Sequence, residues 1–300
     1  MLTYALAVLA ACANGLSSVL QRKANKQVPQ RENLSPRLVW GLLHQPVWFG
    51  GIVALTAGFL LQASALGAGQ LSVVEPVLVL ELPVALVLSS RVFRQRLGLT
   101  EWLPAAAMTA GLGGLLSLLE PSSGRQVPVR WYVWVAGIGV NVALVGCLTA
   151  WARSHPTGTF RAALLAIAAG SAFGLTAALM KAMTRTLAGG LGQLFTSWPI
   201  YAMVAAGVLG LFLTQSAMNA GQLIAAQPGL TLSDPIVSVL WGVTVFNERV
   251  RLGWYTLGEL LCAGVIVAAV ISLAHSPLVS GSDAANEDDG ERHEPASASA

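Results

Sequence analysis

The residues best placed to do chemistry are two carboxylates in the middle of apolar stretches. Glu81 lies in QLSVVEPVLVLELPVALVLSS (70–90), together with Glu75, and Asp234 lies in QLIAAQPGLTLSDPIVSVLWG (222–242). Glu81 is eleven residues past Gln70 and Asp234 twelve past Gln222. At a helical rise of about 1.5 Å per residue, both fall near the centre of a helix long enough to cross a bilayer. An ionised acid at that depth costs a few kcal/mol, so each must be protonated, face a wet cavity or hold a cation. All three outcomes point to cation or proton handling and away from anions. Glu75 and Glu259 lie within apolar stretches but nearer an end. The amides of Gln62, Gln70, Gln215, Gln222 and Gln227, with Asn141, add donors and acceptors. The other acids before residue 281, Glu32, Glu101, Glu120 and Glu248, lie in loops or at stretch ends. Arg22 and Lys181 are expected in last turns, where a long side chain can snorkel to the interface.

These side chains are positioned by a repeat. Sliding the chain by 152 residues aligns Gln70 with Gln222, Leu71 with Leu223, Pro76 with Pro228, Leu78 with Leu230, Leu80 with Leu232 and Pro83 with Pro235. Each copy keeps two prolines seven residues apart, with an acid beside the second. A proline removes a backbone donor and frees a carbonyl one turn earlier, so Pro76, Pro83, Pro228 and Pro235 are expected to kink their helices and offer polar backbone to a cavity. The echo extends to Phe59-Leu-Leu-Gln62 with Phe212-Leu-Thr-Gln215, to Val92-Phe93 with Val245-Phe246, and to Gly15-Leu16-Ser17 with Gly174-Leu175-Thr176.

Composition fixes the setting. Of 300 residues, 55% are hydrophobic and 10% charged, and the mean hydropathy is +0.66, which marks an integral membrane protein. Polar breaks leave nine apolar stretches, at about 2–21, 46–67, 70–90, 102–119, 131–151, 161–181, 194–216, 222–246 and 253–274. Stretches one to four pair with six to nine. Five crossings, an odd number, separate each stretch from its echo, so the copies run in opposite directions, as in transporters built on inverted repeats. The expected organisation is a first repeat over 1–119, a linking helix and loops over 120–160, a second repeat over 161–275 and a disordered acidic tail over 276–300. That tail carries six of the fourteen acids. The loops after stretches one, three and five, with the tail, hold eleven of the seventeen Lys and Arg. The positive-inside bias then puts the amino terminus outside the cell membrane and the tail in the cytoplasm.

Smaller signals agree. The nine tryptophans fall near stretch ends, as expected of rings that prefer the headgroup level. Cys12, Cys147 and Cys262 each stand alone and read as small core residues. Gly111, Gly113, Gly114, Gly137 and Gly139 are expected to permit close helix contact. There is no nucleotide-binding loop, metal-ligand cluster or nucleophile–base pair, so no enzyme and no cofactor is expected. No aromatic-interleaved basic patch points to nucleic acid. The expected partners are the lipid bilayer, a small solute or cation, and a second copy in a homodimer.

In its second half, Gln227-Pro228-Gly229 through Val245-Phe246-Asn247-Glu248-Arg249-Val250 resembles the drug/metabolite transporter superfamily, whose repeats often end in an N/G-E-R-[LV] turn. Val92-Phe93-Arg94-Gln95-Arg96-Leu97 is similar but lacks the Glu. The resemblance covers about 2–274. With nine stretches in place of the superfamily's common ten, the chain is closest in kind to EamA-like and NIPA-like membrane proteins of actinobacterial type. The resemblance implies a secondary carrier using alternating access, with a cavity between its halves. Glu81 and Asp234 are then the coupling or cation-binding groups, assisted by Glu75, Gln227 and Glu259. A magnesium or other divalent-cation transporter, with Glu81 and Asp234 as its ligands, is the alternative. A membrane scaffold or sensor that transports nothing is a further one.

Overall fold

The computed structural model describes residues 1–25, 45–94, 97–119, 129–156, 158–187, 189–220, 223–248 and 255–274. The expected basic loop after the first stretch, the acidic tail, Glu32, Glu120, Gln222 and Arg249 lie outside the described residues. Every described element is a helix: α1 Leu2–Asn25, α2 Pro46–Ala68, α3 Leu71–Leu78, α4 Glu81–Val92, α5 Leu99–Leu119, α6 Trp131–Arg153, α7 Thr159–Leu187, α8 Leu191–Thr196, α9 Trp198–Ala220, α10 Leu223–Thr244 and α11 Tyr255–Ala274. Among the described residues, six stretches are long and apolar enough to cross a membrane: α1, α2, α3 with α4, α6, α7 and α9. Their outward faces carry bare apolar side chains such as Val53, Leu60, Val140, Val208 and Phe212. In water such surface would have to be covered; against lipid it needs nothing.

The prolines act differently in the two copies. In the first, the helix breaks between Pro76 and Pro83, at Val79 and Leu80. The N–H groups of Val79, Leu80 and Leu82 reach back only three residues, to Pro76, Val77 and Val79, a tightened turn of the 3₁₀ kind. The second copy, α10, runs unbroken through Pro228 and Pro235. The matching spacing of prolines therefore predicts a matching break that only one copy makes.

Packing follows the repeat. α1 lies along α2, and α7 along α9; α1 also meets α3 and α4, as α7 meets α10. Two elements pack against their own sequence mates, α3 on α10 and α5 on α11. Glycines set the closest approaches. A Cβ on Gly15 would stand 3.1 Å from the Glu81 carbonyl oxygen, and one on Gly174 would stand 3.1 Å from the Asp234 carbonyl oxygen. The turns after α4 and α10 also match: Arg94 and Asn247 take positive φ, 54° and 52°. Arg22 of α1 sits over the ring of Phe93, 5.7 Å from its centre, and Lys181 of α7 over that of Phe246, at 5.2 Å.

Several expectations are corrected here. Lys181 is not in a last turn, because α7 runs on to Leu187; the side chain is 5% exposed and does not snorkel. Trp134, in the first turn of α6, and Trp241, in the last turn of α10, stand near helix ends as expected but are buried against other helices. Trp134 packs edge-on to Trp198 and Phe246, at 5.2 and 5.8 Å between ring centres, and tilted against Trp241 at 5.6 Å. Stacking in a shared core buries more ring surface than the interface would. Cys147 is exposed on α6 and not a core residue. Gly111, Gly114 and Gly137 do sit at helix contacts, but a Cβ on Gly113 or Gly139 would meet no described atom of another helix within 4 Å.

Candidate functional site

A cavity of roughly 270 Å³ opens between α1, the α3–α4 break, α7 and α10. Glu75, Glu81 and Asp234 all line it, with Asn14 and Gln62. The break puts them there. Glu75 is on the last turns of α3 and Glu81 is the first residue of α4, so interrupting the helix lets two acids of one stretch reach the same space. On the facing wall, α10 supplies Leu230, Thr231, Asp234 and Pro235, and α7 supplies Phe173. The cavity straddles the repeat: Leu78 and Leu230, mates in sequence, line it from opposite sides, as do Val79 and Thr231.

The donors to the three carboxyls are uncharged, and Asn14 joins Ser18 in bonding Glu81. Gln62 Nε2 donates to Glu75 Oε1 at 3.0 Å, Ser18 Oγ to Glu81 Oε1 at 3.2 Å, and Ser238 Oγ to Asp234 Oδ1 at 3.3 Å. Glu75 is 3% exposed. Among the described residues, no Lys, Arg or His lines the cavity. Three acids with neutral donors in one cavity are either protonated or balanced by a bound cation.

Two residues expected to assist stand differently. Glu259 is on α11, outside the cavity lining. Gln227 is on α10, and its side chain lies outside the described residues. Among the described residues, no three His, Cys, Asp or Glu side chains converge closely enough to hold a metal ion.

Sequence reasoning missed a second polar centre. Glu248, in the turn after α10, is 5% exposed. It takes the N–H groups of Leu71 and Ser72 at 2.8 and 2.9 Å and pairs with Lys181 Nζ at 2.5 Å. Lys181 Nζ also donates to the Gly69 carbonyl at 2.9 Å. A carboxylate on the free N–H groups of a helix start is a stable arrangement. Burial acts to raise the Glu248 pKa, but the Lys181 charge and the N–H bonds outweigh it and hold the carboxyl below its usual range. The signal was present in the N-E-R turn, whose Asn247 takes the left-handed conformation that turns the chain inward.

No known protein-family profile and no solved structure matches this chain. An uncharacterized protein of Corynebacterium glutamicum is 30% identical to it over 279 residues, covering 90% of this chain and 95% of that protein.

Proposed function

We propose, for a chain that belongs to one family with this Corynebacterium glutamicum protein, a secondary carrier that moves a small organic cation across the cell membrane by alternating access. The observation that carries the reading is the cavity in which acids from both repeats meet with no basic partner. Glu81 and Asp234 bind the cation or the proton coupled to it, and Glu75 assists. Alternating access needs two halves able to rock about a shared site. The contacts between sequence mates, α3 with α10 and α5 with α11, support an inverted pair of four-helix repeats around the connector α6. So do the matched glycine contacts at Glu81 and Asp234. This arrangement would be a nine-span member of the drug/metabolite transporter superfamily, with its amino terminus outside.

Lys181 and Glu248 close one end of that arrangement. They join the second repeat to the start of α3, the helix that carries Glu75. No equivalent acid stands in the first repeat's turn, Val92-Phe93-Arg94-Gln95-Arg96-Leu97, so the lock is one-sided.

The test is reconstitution in proteoliposomes, with flux of organic cations, protons and Mg²⁺ followed under imposed gradients. Organic-cation flux that is abolished by Glu81→Gln or by Asp234→Asn, in protein that still inserts, is the expected result. Parental flux in both variants removes the site assignment, Mg²⁺ flux alone selects the divalent-cation reading, and absence of any flux removes the carrier.

A further inference from the structure

We propose that the ligand is amphiphilic: an ammonium head among Glu75, Glu81 and Asp234, and an alkyl tail in a second cavity beside them. This rests on reading the acidic cavity as a cation site. The second cavity, roughly 280 Å³, lies between α3, α5, α10 and α11. Leu115, Leu232, Val239, Ile266 and Val267 are among its walls, and Ser72 is its one side chain with a polar atom. Water held there would find almost no hydrogen-bond partner, and a charged group none of opposite sign. The walls are aliphatic, with no aromatic face to stack a flat ring, so the complementary group is a flexible hydrocarbon chain.

The two cavities are continuous in their lining. Val79 and Pro235 line both. Val79 is the break between α3 and α4, and Pro235 is the second proline of α10. The two spaces therefore adjoin at these two side chains, at the place where the first copy's helix is interrupted. A ligand with its charge on one side and its chain on the other satisfies both spaces; a compact hydrophilic cation leaves the second empty. The head cannot exchange places with the tail, so the ligand has one orientation.

The experiment measures binding of n-alkylammonium ions, from ethyl to octyl, to the full chain in lipid nanodiscs. Glu81→Gln, Ala263→Phe and Val267→Phe are compared with the parent. Ala263 and Val267 line the apolar cavity, and a phenyl ring at either projects into it and shortens the space left for a chain. Affinity in the parent should rise about threefold to fourfold for each added methylene until the cavity is full. That slope should collapse in both filling variants. The slope is a ratio between ligands, so a smaller fraction of folded protein does not alter it, and partition into lipid is common to all variants. Equal slopes in parent and filling variants would overturn the proposal, since the tail would then lie in the bilayer. Glu81-dependent binding with no slope would also overturn it, as when a membrane acyl chain keeps the cavity, while leaving the cation site standing. Absence of Glu81-dependent binding at every length would remove the cation site itself.

Discussion

Glu248 and Lys181 are 67 residues apart in the chain, yet their charged atoms stand 2.5 Å apart in the interior. The carboxylate also holds the first N–H groups of α3, so one ion pair fastens the turn after α10 to the first repeat's acid-bearing helix. Removing one partner leaves the other charge buried without its ion pair. Lys181→Met and Glu248→Gln should each cost about 3–5 kcal/mol. The double variant should cost less than their sum, because it removes both charges together. Thermal unfolding in nanodiscs measures this, and single variants as stable as the parent would show that the pair holds nothing.

The same pair gives stability a pH dependence. Folding holds the Glu248 carboxyl below its ordinary value of 4.5. A carboxyl lowered by folding contributes stability fully above its unfolded pKa and loses it as pH falls through the folded one. The protein should therefore weaken on acidification below about pH 4.5, and Glu248→Gln should flatten that part of the profile. An unchanged slope in the variant would assign the acid lability to other carboxylates.

Legibility in the sequence followed range. Helix positions were readable because apolar length is local, and the meeting of Glu81 and Asp234 was readable because a repeat carries long-range information within the sequence itself. The place of Lys181 is not legible in this way, because the first base after an apolar run need not end its helix. In fact α7 continues past it, and what tolerates the charge is Glu248, far away in sequence. The unequal behaviour of the two proline pairs was not readable either. Pro76–Pro83 and Pro228–Pro235 have identical spacing, and which helix breaks depends on what packs against it. The burial of Trp134 with Trp241 likewise comes from the contact of three separate helices.

Gly170 tests how closely α7 must approach the helix of Asp234. A Cβ there would meet the Leu230 carbonyl oxygen at 2.8 Å, Ser233 Cβ at 2.8 Å and the Asp234 amide nitrogen at 3.0 Å. Two of these are backbone atoms, so α10 itself must move. Gly170→Ala should cost about 1–3 kcal/mol and reduce flux by displacing Asp234. Gly139, in the middle of α6, where a Cβ would meet no described atom of another helix within 4 Å, is the control. Gly139→Ala should be neutral or add up to about 1 kcal/mol from helix propensity. Equal effects of the two changes in thermal unfolding and flux would deny the contact its role.

Gln62 separates the cavity from the rest of the intramembrane acids. Its side-chain amide is the donor that joins α2 to Glu75, at 3.0 Å, and Glu75 has almost no exposure with which to find water instead. Hydrogen bonds to charged groups are worth about 1.5–3 kcal/mol, so Gln62→Leu should lower cation affinity roughly tenfold or more by releasing that carboxyl from its place in the cavity. Glu259 lies outside the lining, and Glu259→Gln should leave affinity close to the parental value. Binding measured on the two variants side by side decides between a cavity that works as a unit and acids that act separately. If Glu259→Gln is the damaging change and Gln62→Leu the silent one, the cation does not bind where Glu75, Glu81 and Asp234 meet.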